Sequence, residues 1–265
     1  MDGIAQFKVN QKVAWANFAF LENLTGMTAP NLVRFANIRS GHHVLDVACG
    51  TGVVALTAAR VGATVRGIDL TPELVQHAKE NAALMRAEAS FEEGDVEALP
   101  FPDASFDVVV SQFGHMFAPR PAVALGEMLR VLKPGGTIAF ATWPPELFVG
   151  RWFVLMGRYA PPPPEGVAPP PQWGDPNIVR ERLGSAVRDL VFTRSTMFFP
   201  TLSPQHYRVT MVENFGPAKK LLEQLDANDP AKAAVLRNEI EALAQLYFED
   251  NRVRQDFLLT RAIKA

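Results

Sequence analysis

The segment Val44-Leu-Asp-Val-Ala-Cys-Gly-Thr-Gly52 decides how the rest of this chain is read. Its first four residues are β-branched or apolar around one aspartate, the composition of a buried strand. The glycines that follow permit a tight turn, and Val53-Val-Ala-Leu opens a helix. A strand, a glycine turn and a helix N-terminus together present unpaired N–H groups to an anion. Gly50-Thr-Gly52 with Ala55 also fits the loose G-x-G-x-x-G/A pattern of dinucleotide-binding turns, with Asp69 about 20 residues downstream. The anion is then either a pyrophosphate or an amino-acid carboxylate. Asp46, four residues ahead of Gly50, bears on this choice: it would repel a pyrophosphate and suits the positively charged amino-acid portion of a ligand.

Outward from this turn, short β-branched runs at 43–47, 64–69, 89–93, 106–112 and 137–143 alternate with helical stretches, which points to a parallel sheet with helices on both faces. Thr71-Pro-Glu73 carries a cap, a first-turn proline and a first-turn acid for the helix that follows, and Lys133-Pro-Gly-Gly136 stops the helix before the fifth strand. Before the first strand, apolar residues at helical spacing predict two helices, separated between Gly26 and Pro30. Later, 160–171 is a stiff proline-rich surface connection, 187–199 and 254–263 are strands, and 203–250 is a helical insertion with Asp229-Pro230 as cap and first-turn proline. The expected organisation is one structural domain: N-terminal helices over the cleft (1–38), a binding core (39–143), and a segment that completes the sheet and carries the cap (144–265).

The bulk numbers narrow the partners. In 265 residues, 26 Lys and Arg face 28 Asp and Glu, so the net charge of −2 gives no footprint for nucleic acid or an anionic membrane. Cys49 is the single cysteine, which excludes an intrachain disulfide and a multi-cysteine zinc site; no metal is expected, and a reducing cytoplasm suits the chain. No export signal is read in Met1-Asp-Gly-Ile-Ala-Gln-Phe7, and no apolar run approaches the roughly 20 residues of a membrane-spanning helix. Monomer and homodimer both remain open.

Four blocks stand in order: Val44 to Gly52, Val65-Arg-Gly-Ile-Asp-Leu-Thr71, Gly94-Asp-Val-Glu-Ala-Leu-Pro-Phe-Pro-Asp-Ala-Ser-Phe-Asp-Val-Val-Val110, and Leu129-Arg-Val-Leu-Lys-Pro-Gly-Gly136. On these the sequence resembles the class I S-adenosylmethionine-dependent methyltransferases, specifically the type 11 group with its ubiquinone/menaquinone methyltransferase-like members, over about residues 40–143. The resemblance implies a Rossmann-like, doubly wound, mostly parallel seven-stranded α/β sheet with an antiparallel last strand. It also implies S-adenosyl-L-methionine as cofactor, S-adenosyl-L-homocysteine as product, and methylation of a small-molecule acceptor at O, C or N.

Carried over by position, the family roles give Asp69 to the ribose hydroxyls, Leu70 to the adenine face, and Asp95 with the Val96 N–H to the adenine edge. Asp46, Ala48, Gly50 and Gly52 go to the amino-acid portion, and Gln112 and Phe113 lie beside the sulfonium. If the acceptor must lose a proton, His115 is the expected base because it follows the fourth strand, where ligands collect; His206 and Tyr207 in the cap are second candidates. Trp15 and Trp143, with His206 and Tyr207, are expected in the acceptor pocket, among further aromatics at Phe18, Phe20, Phe148, Trp152, Phe153 and Trp173. Cys49 is read as a packed residue, and Asp107 and Glu127 as scaffold. Two other functions fit parts of the pattern: a cofactor-binding regulatory protein without turnover, and a nicotinamide-dependent oxidoreductase resting on the glycine turn and Asp69 alone.

Overall fold

A computed structural model describes residues 3–265. Two helices come first, α1 (Gly3–Trp15) and α2 (Glu22–Phe35). The core then alternates: β1 (His43–Val47), α3 (Val53–Arg60), β2 (Thr64–Asp69), α4 (Pro72–Met85), β3 (Ala89–Glu93), β4 (Phe106–Gln112), α5 (Pro121–Val131) and β5 (Leu132–Thr142). The remainder supplies α6 (Phe148–Gly157), α7 (Pro176–Leu183), β6 (Val187–Pro200), α8 (Pro204–Asn214), α9 (Gly216–Asn228), α10 (Pro230–Gln245), β7 (Phe248–Glu249) and β8 (Arg252–Lys264).

The strand order is β3-β2-β1-β4-β5-β8-β6. The first five strands are parallel, and β8 runs antiparallel between β5 and β6. This is the Rossmann-like sheet of the sequence reading, with an eighth, two-residue strand added. That strand, β7, forms a hairpin with β8 across Asp250 and Asn251, whose φ values of 49° and 56° make the left-handed two-residue turn that matches strand twist. The central strands are apolar on both faces because helices cover both: Val44, Leu45, Val109 and Val110 are fully buried.

Two departures from the sequence reading are the largest. The first helix ends at Trp15, a 3-10 turn spans Phe18–Leu21, and α2 then runs unbroken through Gly26 and Pro30. A proline ring inside a helix collides with the carbonyl four residues earlier, here that of Gly26, which has no side chain to hold that turn rigid. The fifth strand begins at Leu132, before the Pro-Gly-Gly stop; its pairing with β4 jumps from Phe106↔Leu132 to Val108↔Thr137, so residues 133–136 loop out as a bulge with Gly135 at φ +75°.

The late helices α8, α9 and α10 pack on one another and, through α6, on β8. Residues 160–169 have no helix or strand. Among the described residues, no helix is long and apolar enough to cross a membrane.

Candidate functional site

The carboxyl ends of β1, β2, β4 and β5 open into one cavity at the point where strand order reverses between β1 and β4, where α/β sheets bind ligands. Asp46, Ala48, Gly50, Asp69, Leu70, Asp95, Val96, Gln112 and Phe113 all line it. So do Trp15, Trp143 and Tyr207 from the expected acceptor region.

Three residues to which the sequence reading gave a specific role lie off the lining. Gly52 sits behind it: at φ +83°, a Cβ there would stand 2.9 Å from Phe91 Cζ, so the glycine serves the close approach of the turn to β3. His206 is exposed and binds Thr201 Oγ1 through Nδ1 at 2.8 Å, closing the turn into α8. His115 is fully buried against Phe140 and Trp173, with ring centroids 4.6 and 4.7 Å away, and neither ring nitrogen has a partner. Burial, with Arg182 adding repulsion, pushes its pKa down to about 3. The imidazole lies behind the wall of the cavity and does not reach a proton inside it, which removes the base expected there. Being on the loop after β4 put His115 at the right strand end; which side of that loop it faces was decided by packing in the 3-10 turn His115–Phe117. Phe20, Phe148 and Trp173 are likewise not on its wall, whereas Phe18, Trp152 and Phe153 line it.

Backbone geometry at the turn is unusual. Ala48 and Phe113 adopt φ of 52° and 63°, and Gly114, next after Phe113, lies close against Ala48: a Cβ on Gly114 would stand 2.5 Å from both Ala48 Cβ and Ala48 O. Non-glycine residues held left-handed cost roughly 1–3 kcal/mol each and concentrate where a ligand is gripped. Gly50, at φ +56°, has open space where a Cβ would be.

The acids are fixed differently. Asp69 Oδ2 accepts from Gly50 N at 2.8 Å and Oδ1 from Thr71 N at 2.9 Å, so the carboxylate is immobile with lone pairs to spare. Burial raises its pKa, while these bonds oppose the rise. Asp46 Oδ2 accepts from Ala55 N at 3.0 Å, but Oδ1 is buried without a partner. Burial, with repulsion from Asp69 adding to it, lifts Asp46 to about 8 despite the Ala55 bond. Burial likewise pushes the Cys49 thiol up, so the sulfur stays a neutral packed group.

Asp95 Oδ1 accepts from Glu97 N at 2.9 Å, and its Oδ2 meets Lys8 Nζ at 2.5 Å. Lys8 also binds Glu97, and the chain is further tied by Gln11 Nε2 to Phe117 O at 2.9 Å and by the Lys12–Glu93 ion pair. These three α1 side chains lay the helix across the cavity. Gln112 reaches the other way, donating to Thr25 O in α2 at 2.9 Å and leaving Oε1 buried and unpartnered.

On the cap side Phe113 and Trp143 stack at 4.0 Å and 11°, and Trp15 packs on Phe117 and Phe215. Lys8, Gln11, Trp152, Met197, Met211, Phe215 and Gln255 also line the cavity and were not singled out for the site from sequence, or in the case of Trp152 only as one aromatic among several. Gln255 had a legible signal, a polar residue in the alternating stripe Val253, Gln255, Phe257, Leu259. Asp107 and Glu127 do hold scaffold: Asp107 accepts from His43 N and Lys133, and Glu127 from Leu99 N and Arg130.

An unpartnered buried carboxylate oxygen beside a glycine turn, a fixed carboxylate at the next strand end and a third acid beyond it present acceptors to a ligand with an ammonium group, a diol and an amine in line. That is the donor set of S-adenosylmethionine, and the residues fit it; the pyrophosphate of a dinucleotide has no ammonium to give to Asp46 Oδ1.

Residues 45–140 match a family model described as a methyltransferase domain. An uncharacterised protein of Mycobacterium tuberculosis is 35% identical over 259 residues, 96% of this chain and 93% of that protein. A demethylmenaquinone methyltransferase of Deinococcus radiodurans is 40% identical over 108 residues, 40% of this chain and 45% of that one. Among solved structures, phosphoethanolamine N-methyltransferase 2 of Haemonchus contortus in complex with S-adenosyl-L-methionine superposes with TM-score 0.56 at 18% identity, over 89% of this chain and 52% of that chain.

Proposed function

The chain belongs to the class I S-adenosylmethionine-dependent methyltransferases of the type 11 group, and from that premise we propose that it binds S-adenosylmethionine in this cavity and methylates a small-molecule acceptor. The observation that carries the reading is that Asp46, Asp69 and Asp95, at or just past the ends of three neighbouring strands, line the same cavity as the aromatic wall contributed by α1, α6 and the cap.

When bound, S-adenosylmethionine supplies a methyl group already activated by its sulfonium. The protein's own residues do the rest. Asp46 Oδ1 accepts from the ligand ammonium, Gly50 lets the backbone lie against the amino-acid portion, and the Asp69 carboxylate accepts from the ribose hydroxyls. Asp95 and the Val96 N–H meet the adenine edge, with Leu70 on its face. Gln112 and Phe113 hold the side of the cavity that faces the acceptor. The helix α1, tied down by Lys8, Gln11 and Lys12, excludes water, and the chain contributes positioning rather than a histidine base.

Calorimetric titration of the purified protein with S-adenosylhomocysteine and with NADH tests the cofactor. Binding of the first and not the second is expected, with Asp69→Asn weakening it by about tenfold or more; NADH binding alone overturns the reading. Release of S-adenosylhomocysteine over a panel of acceptors tests turnover, and a protein that binds the cofactor but methylates nothing in a broad panel is a regulatory binder.

A further inference from the structure

Apart from Gln112, whose Nε2 is held by Thr25 O and whose Oε1 is unpartnered, the acceptor half of the cavity is apolar except for a small group of polar atoms with unused hydrogen-bonding capacity. Gln255 occupies an inward position of β8, between Val253 and Phe257 on the same face, both fully buried. It is 4% exposed, in a stripe where every neighbour is apolar. Burying an amide without partners is costly, so a glutamine there calls for a bond. Its one recorded bond is weak: Nε2 donates to Tyr207 Oη at 3.5 Å, the far limit of a hydrogen bond.

Tyr207, 2% exposed, comes from α8 and is held between Phe148 and Phe199, with ring centroids 5.4 and 5.0 Å away. Among the described residues, no hydrogen bond takes its hydroxyl proton, and none is received by Gln255 Oε1. On the same cavity, Trp152 Nε1 is buried with no acceptor. All three side chains line the cavity. Together they offer O–H and N–H donors and one amide oxygen, and no charge.

Charge elsewhere in the cavity narrows the ligand further. Among the described residues its carboxyl groups, Glu22, Asp46, Asp69 and Asp95, outnumber its single cation, Lys8, which is already paired with Asp95 and Glu97. The protein offers an anionic acceptor no free cation of its own, and a cationic one would lie against the sulfonium.

We infer that Tyr207 and Gln255 form the polar anchor of the acceptor, and that the acceptor is an uncharged, largely apolar molecule whose hydroxyl or carbonyl oxygen seats on this pair. The inference rests on the methyltransferase reading for which half of the cavity the acceptor takes. A site built to hydrogen-bond one group discriminates against the analogue lacking it, because its own polar atoms are then left unpaired.

Three size-matched probes test this: 2-naphthol, naphthalene and 2-naphthoate, each titrated into the full-length protein. S-Adenosylhomocysteine is titrated first and alone, so that failure of the cofactor reading registers separately. The probes are then added to protein saturated with it. The expected order is 2-naphthol about 5- to 10-fold tighter than naphthalene, with 2-naphthoate weakest. Tyr207→Phe and Gln255→Met should each bring the naphthol-to-naphthalene ratio towards one while S-adenosylhomocysteine affinity stays within about twofold. Because the readout is a ratio within one protein, partial misfolding does not mimic the effect, and either variant alone suffices if the other does not fold. Tightest binding by 2-naphthoate, an unchanged ratio in both variants, or no binding of any probe to a protein that does bind S-adenosylhomocysteine overturns the inference.

Discussion

Cofactor binding should expel a proton from Asp46. The unliganded protein buries this carboxyl with one oxygen unpartnered, and burial lifts its pKa to about 8. At pH 7 it is therefore about nine-tenths protonated. A ligand ammonium within hydrogen-bonding distance of Oδ1 favours the carboxylate and lowers that pKa well below 6, so binding at pH 7 releases about 0.9 proton. The same linkage makes the apparent Kd for S-adenosylhomocysteine fall about ninefold between pH 6 and pH 7. Titration calorimetry in two buffers of different ionisation enthalpy reads the proton number directly. Asp46→Asn should abolish both the release and the pH slope, and 5′-methylthioadenosine, which has no amino-acid portion, should show neither in the parent protein. Binding of S-adenosylhomocysteine at pH 7 without proton release, or a slope that survives Asp46→Asn, would refute the assignment of Asp46 to the ammonium. Stability provides a second arm. The folded pKa lies above the unfolded value of 3.8, so the native state binds more protons and the unliganded fold loses stability as pH rises from about 4 to 8, by about 4 kcal/mol at pH 7 as an upper bound. Asp46→Asn should raise the Tm of the unliganded protein more at pH 8 than at pH 5.

Three further outcomes follow from the packing. His115→Phe should keep turnover within about twofold, against the 10²-fold or greater loss of a general base; since the folded pKa of His115 is depressed to about 3, the substitution should also remove an acid destabilisation that sets in as pH falls below 6.5, read as Tm against pH. Lys8→Ala frees α1 from Asp95 and Glu97 while Arg120 still pairs with Glu97, so hydrogen exchange across Gly3–Trp15 should accelerate severalfold with about 1–2 kcal/mol or less lost from global unfolding in urea. Gly52→Ala combines a φ of +83° with a Cβ 2.9 Å from Phe91, and should cost about 2–4 kcal/mol in chemical denaturation; a neutral result would mean the turn and β3 can move apart.

Strands β1 to β4 fall on the sequence-derived boundaries because β1, β2 and β4 are short, largely apolar runs and each of the four is closed by a turn, a signal carried by neighbouring residues. Boundaries moved where a distant or missing atom decided. Pro30 is tolerated in α2, where Gly26 stands four residues before it, and β5 starts early because Leu132 finds a partner in Phe106 across the bulge. The cofactor-side residues were legible for the same local reason: Asp46, Ala48, Gly50, Asp69, Leu70, Asp95, Val96, Gln112 and Phe113 sit at or just past strand ends, and a parallel sheet gathers all of those ends at one edge.

What the sequence alone determined, then, is the alternation that makes the sheet and the acids and glycines that follow its strands, since these depend on spacing along the chain. The tertiary structure decided which way side chains off the strands face. His115 follows β4 as Phe113 does, yet turns into the core, while Tyr207 of the cap helix α8 comes to the cavity beside Gln255 of β8. Loop and cap residues have no fixed periodicity to orient them. Their direction is set by packing between elements that meet only in the fold, and in this protein that packing shapes the pocket for the acceptor.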